Sequence, residues 1–161
     1  MRTLQQQELD WIERAPVSVI GRAESAAPPD AVFAVLADHV RWPEWFPSVR
    51  KVEVLGPATG VGARRRVTVP GAVFEEEFIA WDPGVRWSFT GTASRPGLLR
   101  SLVEDCRLEP TSTGGTAIAY GMHLAPAPLA APLVRLARGS LRKNLDRAMH
   151  QLAQRAENPP N

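Results

Sequence analysis

Two charged runs flank the Pro70-Gly71 pair: Arg64-Arg65-Arg66 before it and Glu75-Glu76-Glu77 after it. If Pro70 and Gly71 centre a hairpin turn, Val69 faces Ala72, Val67 faces Phe74 and Arg65 faces Glu76. If Pro83 and Gly84 centre the next turn, Ala80 faces Trp87, Phe78 faces Phe89 and Glu76 faces Gly91. The two registers agree on one inner face of Arg65, Val67, Phe74, Glu76, Phe78, Trp87 and Phe89. The other face carries Arg64, Arg66, Glu75, Glu77, Ser88 and Thr90 and suits water. A slip of one residue in either turn would reverse the assignment. An Arg–Glu pair among aromatic rings can anchor a ligand carbonyl or hydroxyl, or act as an acid/base pair for enolisation or dehydration. The plain alternative for Arg65 and Glu76 is a cross-strand salt bridge.

The same alternation turns Leu102, Glu104, Cys106 and Leu108 inward on the following strand, and Ile118, Tyr120 and Met122 on the last. Charges among apolar side chains are costly unless paired, and polar groups in an apolar cavity are the pattern of a ligand site. A tyrosine hydroxyl can polarise a carbonyl, so Arg65, Glu76 and Tyr120 are the catalytic candidates. The alternative for Tyr120 is a packed ring with a hydrogen-bonded tip. His39 reads as a loop or cap residue, His123 points outward by parity, and His150 sits on the polar side of the last helix. Trp81 is expected outside, stacked on Arg86. Cys106 is a single cysteine with no nucleophile context, so a buried structural thiol is expected.

Several elements must hold these side chains. Residues 1–16 form an arm or short helix ended by Pro16. Val17–Ser25 reads as a strand. Pro28-Pro29-Asp30 then opens a helix with Val32, Phe33, Leu36 and Ala37 on its apolar face. Trp42-Pro43-Glu44-Trp45-Phe46 reads as a second short helix, in which Trp45 is a lid or a core seal and Trp42 a core seal. A strand at 49–56 follows, and then a meander with strands at 62–69, 73–81, 85–92, 98–109 and 115–124, divided by turn signals. A long helix closes the chain at 133–156. Val134, Ala137, Leu141, Leu145, Ala148 and Leu152 form its apolar stripe, and Gly139 is a candidate bend.

The chain has 161 residues and a formal net charge of +2, from 19 basic and 17 acidic residues. That length suits one domain with a sizeable core, here 17–157 followed by a tail at 158–161. The charge balance gives no broad field for nucleic acid or an anionic membrane. No stretch approaches the ~20 apolar residues of a membrane span, and no signal-peptide pattern opens the chain. A cytoplasmic protein without integral membrane association, metal or cofactor is expected. A homodimer is compatible with the sequence, and the Ala/Arg/Pro usage is compatible with a bacterial source.

The run from Ala27 to Gly56, APPDAVFAVLADHVRWPEWFPSVRKVEVLG, resembles the start of the START-like (SRPBCC) superfamily. EEFIAWDPGVRWSFTG, CRLEP, GGTAIAYG and the closing helix resemble its later parts. The superfamily groups polyketide cyclases/dehydrases, lipid-transfer START domains and Bet v 1-type proteins. The resemblance implies an α+β helix-grip fold: a seven-stranded antiparallel sheet curved around a long C-terminal helix, with two short helices between the first two strands. It also implies a hydrophobic cavity between sheet and helix. The resulting expectation is binding of a lipid, polyketide or aromatic metabolite for transport or sequestration. Trp45, Arg65, Phe74, Glu76, Phe78, Trp87, Phe89, Glu104, Tyr120, Met122, Leu141 and Leu145 would line the site. The competing expectation is an aromatase/cyclase or dehydratase using the same cavity. A third is an interaction module with a filled core, lacking a pocket of the ~300 Å³ typical of ligand sites.

Overall fold

The computed structural model describes residues 1–159, so the last two residues of the expected tail lie outside it. One antiparallel sheet holds the strands in the order β2-β8-β7-β6-β5-β4-β3. Their ranges are β2 Val17–Ser25, β3 Lys51–Val54, β4 Arg64–Val69, β5 Ala72–Asp82, β6 Arg86–Arg95, β7 Leu99–Pro110 and β8 Thr116–Pro126. Helix α1, Pro29–Ala37, and a 3-10 turn, His39–Glu44, lie between β2 and β3. Helix α2 runs from Ala131 to Glu157. This is the helix-grip architecture.

The hairpin registers follow from the turns. Arg65 stands opposite Glu76 and Val67 opposite Phe74, while Phe78 faces Phe89 and Glu76 faces Gly91. One part of the expected register is corrected. A bulge between Phe78 and Ala80 pairs Ala80 with Ser88 and Trp81 with Trp87. An extra residue in one strand reverses the alternation beyond it. Trp81 therefore turns inward and packs edge-on against Phe33 and Phe78 rather than stacking outside on Arg86. Arg86 instead donates to Asp105 at 2.7 Å.

The helix expected near the N-terminus is shorter, a 3-10 turn at Leu9–Arg14, because the residues before it join the sheet. Strands β6 and β7 pair only from Arg86–Thr90 with Val103–Arg107 and then part. The N-terminus fills the gap. A two-residue strand β1, Arg2–Thr3, pairs with Ser94 and Ala93 of β6. The Leu4 amide donates to the Thr92 carbonyl at 2.9 Å, and the Gln5 amide to that of Arg100 at 2.8 Å. Leu4 is thereby buried. This bridging satisfies backbone groups that the splayed strands would otherwise leave open.

Helix α2 buries Val134, Leu145, Ala148, Met149, Leu152, Ala153 and Ala156, while Leu141 stays half-buried. Each large apolar side chain so buried contributes about 1.5–3 kcal/mol. The helix comes down on β2 at Gly21, where a Cβ would stand 2.8 Å from the Leu145 backbone carbon. No side chain fits there without moving the helix. Gly21→Val is expected to lower stability by about 1–3 kcal/mol through overpacking. Urea unfolding checks this, and an unchanged midpoint would show that α2 does not sit against Gly21.

Candidate functional site

Inner-face positions from β4, β5, β6, β7 and β8 converge in the middle of the sheet. The Arg65 Nε donates to Glu76 Oε2 at 2.7 Å, and both residues are almost fully buried, at 1% and 4% exposure. The Tyr120 hydroxyl donates to Glu104 Oε2 one strand pair away. The register sets this arrangement, because Phe89 faces Glu104, Trp87 faces Cys106, and Cys106 faces Tyr120.

Aromatic rings enclose the guanidinium. Arg65 Cζ lies 4.2 Å from the Trp42 ring centroid, 4.8 Å from Trp87, 4.9 Å from Phe89 and 5.3 Å from Phe78. Such cation–π contacts strengthen when water is excluded. The Trp42 indole donates to the Leu36 carbonyl at 3.0 Å, which fixes the 3-10 turn against α1. Trp42 stacks on Phe46 and also meets Trp45 and Trp87. The space over Arg65 is thus filled by rings from the segment after α1. Glu44 ties this segment to the end of α2, accepting from Arg41 at 2.8 Å and from Arg155.

Burial raises the Glu104 carboxyl from 4.5 to about 8, and the negative charge of Glu76 adds to the shift. Burial also raises Glu76, opposed by the Arg65 charge and hydrogen bond. Glu104 therefore holds its proton at neutral pH, while Glu76 is bound directly to the Arg65 guanidinium. Tyr120 is raised by burial and by Glu104, so it stays a neutral phenol. His39, expected as a loop or cap residue, is buried against Phe78 and Trp81. Burial and the Arg65 charge lower it to about 4, so it is neutral. Cys106 is buried and its thiol pushed well up by desolvation.

At this centre Arg65 Nη1, Trp87 Nε1, Trp45 Nε1 and His39 Nδ1 are buried with no hydrogen-bond partner among the described residues. Unpaired buried groups of this kind are uncommon in folded proteins.

The structure brings Arg65, Glu76, Phe78, Trp87, Phe89, Glu104 and Tyr120 together. Trp45 joins them through Trp42 and Phe46. Phe74, Met122 and Leu141 are half-buried at the edge of the core, and Leu145 lies over Gly21. The sequence reading did not place Trp42 and His39 beside Arg65. Both contacts join residues distant in sequence, so spacing within one element carries no signal for them.

Two hollows lie away from this centre. One of about 250 Å³ lies outside Trp45, between α1 and the end of α2, ringed by Val35, Asp38, Arg41 and Arg155. The other, of about 650 Å³, is on the opposite face of the sheet over Ala117, Ala119 and Gly121. There His123 Nδ1 meets the Ser18 hydroxyl at 2.9 Å, and burial lowers its pKa. Asp105 nearby is held low despite burial by hydrogen bonds from Arg86, Ser88 and Arg107.

Sequence comparison defines the class to which this helix-grip fold belongs. Residues 16–157 match the family described as polyketide cyclase / dehydrase and lipid transport, and the chain belongs to that family. An uncharacterized protein of Mycobacterium tuberculosis is 30% identical over 146 residues, covering 89% of this chain and 87% of its own. An aromatase/cyclase from Streptomyces sp. R1128 superposes with a TM-score of 0.75 at 17% identity, covering 88% of this chain and 93% of its own. A START superfamily protein from Mycobacterium smegmatis gives 0.72 at 16% identity, covering 89% and 99%. These two likenesses concern the fold.

Proposed function

We propose that this chain binds an apolar small molecule bearing a carbonyl or hydroxyl oxygen, such as a lipid, polyketide or aromatic metabolite. The site is the interior between sheet and α2, and the role is transport or sequestration. The observation that carries this reading is Arg65 Nη1, a buried charged donor left unpaired beside a protonated carboxyl and four rings. Leaving a buried donor unsatisfied costs about 1–3 kcal/mol, and a ligand oxygen would remove that cost. Trp87 Nε1 is a second unpaired donor in the same cluster. Phe78, Phe89 and the buried Leu145, with the edge residues Phe74, Met122 and Leu141, supply apolar contact. Trp42, Trp45 and Phe46 occupy the ligand's place in the closed form. The segment that carries them moves on binding, with access past Trp45 from the hollow outside it.

Quenching of the tryptophans by 1,8-dihydroxyanthraquinone, with anthracene as the oxygen-free control, tests the reading. Saturable quenching by both is expected. Arg65→Met/Glu76→Gln, which leaves no buried charge unpaired, should weaken the quinone by about 10- to 100-fold, the worth of a charged hydrogen bond, and leave anthracene unchanged. Equal weakening of both, or none, would contradict it.

A second reading is a cyclase or dehydratase, favoured by the protonated state of Glu104. A carboxylic acid with a pKa near 8 can donate a proton to a carbonyl or departing hydroxyl oxygen at neutral pH. Turnover of a poly-β-ketone mimic, abolished in Glu104→Gln, would support it. No rate above background would leave binding alone.

A further inference from the structure

We propose that the first half of α2, with the turn before it, docks on an anionic lipid surface. Leu129 is 100% exposed, Leu136 84% and Leu133 58%. Leu129 lies in the 3-10 turn Pro128–Ala130 that leads directly into α2. The spacings of four and three place the three leucines in one row, away from the stripe that packs Val134, Leu145 and Leu152 on the sheet. Leu98, 40% exposed, lies beside the start of this turn, since its carbonyl accepts from the Ala127 amide at 2.8 Å. Single exposed leucines are ordinary, but a contiguous row marks a contact surface.

Charge selects the occupant. Lys143 continues the leucine row, and the exposed Arg135, Arg138 and Arg142 lie round the helix from it. No Asp or Glu occurs between Glu109 and Asp146. The near-neutral net charge of the whole chain conceals this local excess. Leucines in the acyl boundary and cations at the headgroups are the arrangement of a helix lying in a membrane interface. Among the described residues no helix is long and apolar enough to cross a membrane, and the contact proposed is a peripheral one. From Ala131 to Asn144 only Val134 is buried, so the face meets lipid without disturbing the packing that Leu145 to Ala156 provides. The docking does not depend on what binds in the interior.

The full chain is sedimented with vesicles of phosphatidylcholine alone and of equal parts phosphatidylcholine and phosphatidylglycerol. Binding is expected to the anionic vesicles only, reduced several-fold by high salt. It should be lost in Leu129→Gln/Leu136→Gln, whose melting temperature should match the wild type because both side chains are exposed. Equal binding of that variant, or of the neutral vesicles, would overturn the proposal. So would a wild-type dimer that the same variant dissociates, with no vesicle binding, since the face would then join two copies of the chain.

Discussion

Replacing Arg65 with methionine is expected to cost the fold about 3–5 kcal/mol at neutral pH, because it leaves Glu76 buried without its cation. The Arg65–Glu76 pair is 2.7 Å long and both side chains are almost wholly out of water, so solvent does not screen the loss. Four rings also lose the guanidinium that lies against them. The cost should grow with pH. Without Arg65 nothing nearby opposes the burial that raises Glu76, so the folded state holds its proton and the unfolded state releases it. Arg65→Met/Glu76→Gln should recover most of the stability, because no buried charge is then left unpaired. Urea unfolding of both variants decides this. A single variant within about 1 kcal/mol of wild type would mean that the pair is not buried as described.

The second large effect is a fall in stability with rising pH caused by Glu104. Its carboxyl is raised in the folded state from 4.5 to about 8. Its contribution is fully present below 4.5 and is lost as pH rises toward 8, because only the folded chain keeps the proton in that window. The slope is about 1 kcal/mol per pH unit. His39 works in the opposite direction. Its folded value is lowered from 6.5 to about 4, so its contribution is present above 6.5 and lost as pH falls. The two oppose each other below 6.5, which leaves 6.5 to 8 as the window where Glu104 stands out. Wild type should lose stability there and Glu104→Gln should not. Parallel curves for the two proteins would contradict a protonated Glu104.

Much of this centre was legible because β-register is a counting problem once the turns are known. Pro70-Gly71 places Arg65 opposite Glu76, and strict alternation then turns Glu104 and Tyr120 to the same side. The bulge at Ile79 was not legible. Nothing in FIAWD marks the extra residue, and its benefit, Trp81 packed on Phe33 and His39, appears only when α1 is in place. The docked N-terminus was hidden for a similar reason. Its partners are backbone groups exposed by the splay of β6 and β7, and composition does not encode a splay. Trp42 over Arg65 joins residues distant in sequence, and periodicity within one element carries no information about such a contact.

The most direct test of an interior oxygen site is a ¹H–¹⁵N spectrum of the Trp87 indole and the Arg65 guanidinium during titration with 1,8-dihydroxyanthraquinone and, separately, anthracene. The quinone should shift both signals saturably, with the larger change at Arg65, and anthracene should leave the Arg65 signal in place. Saturable binding of the quinone with the Trp87 and Arg65 signals unmoved would put the ligand elsewhere and contradict the site.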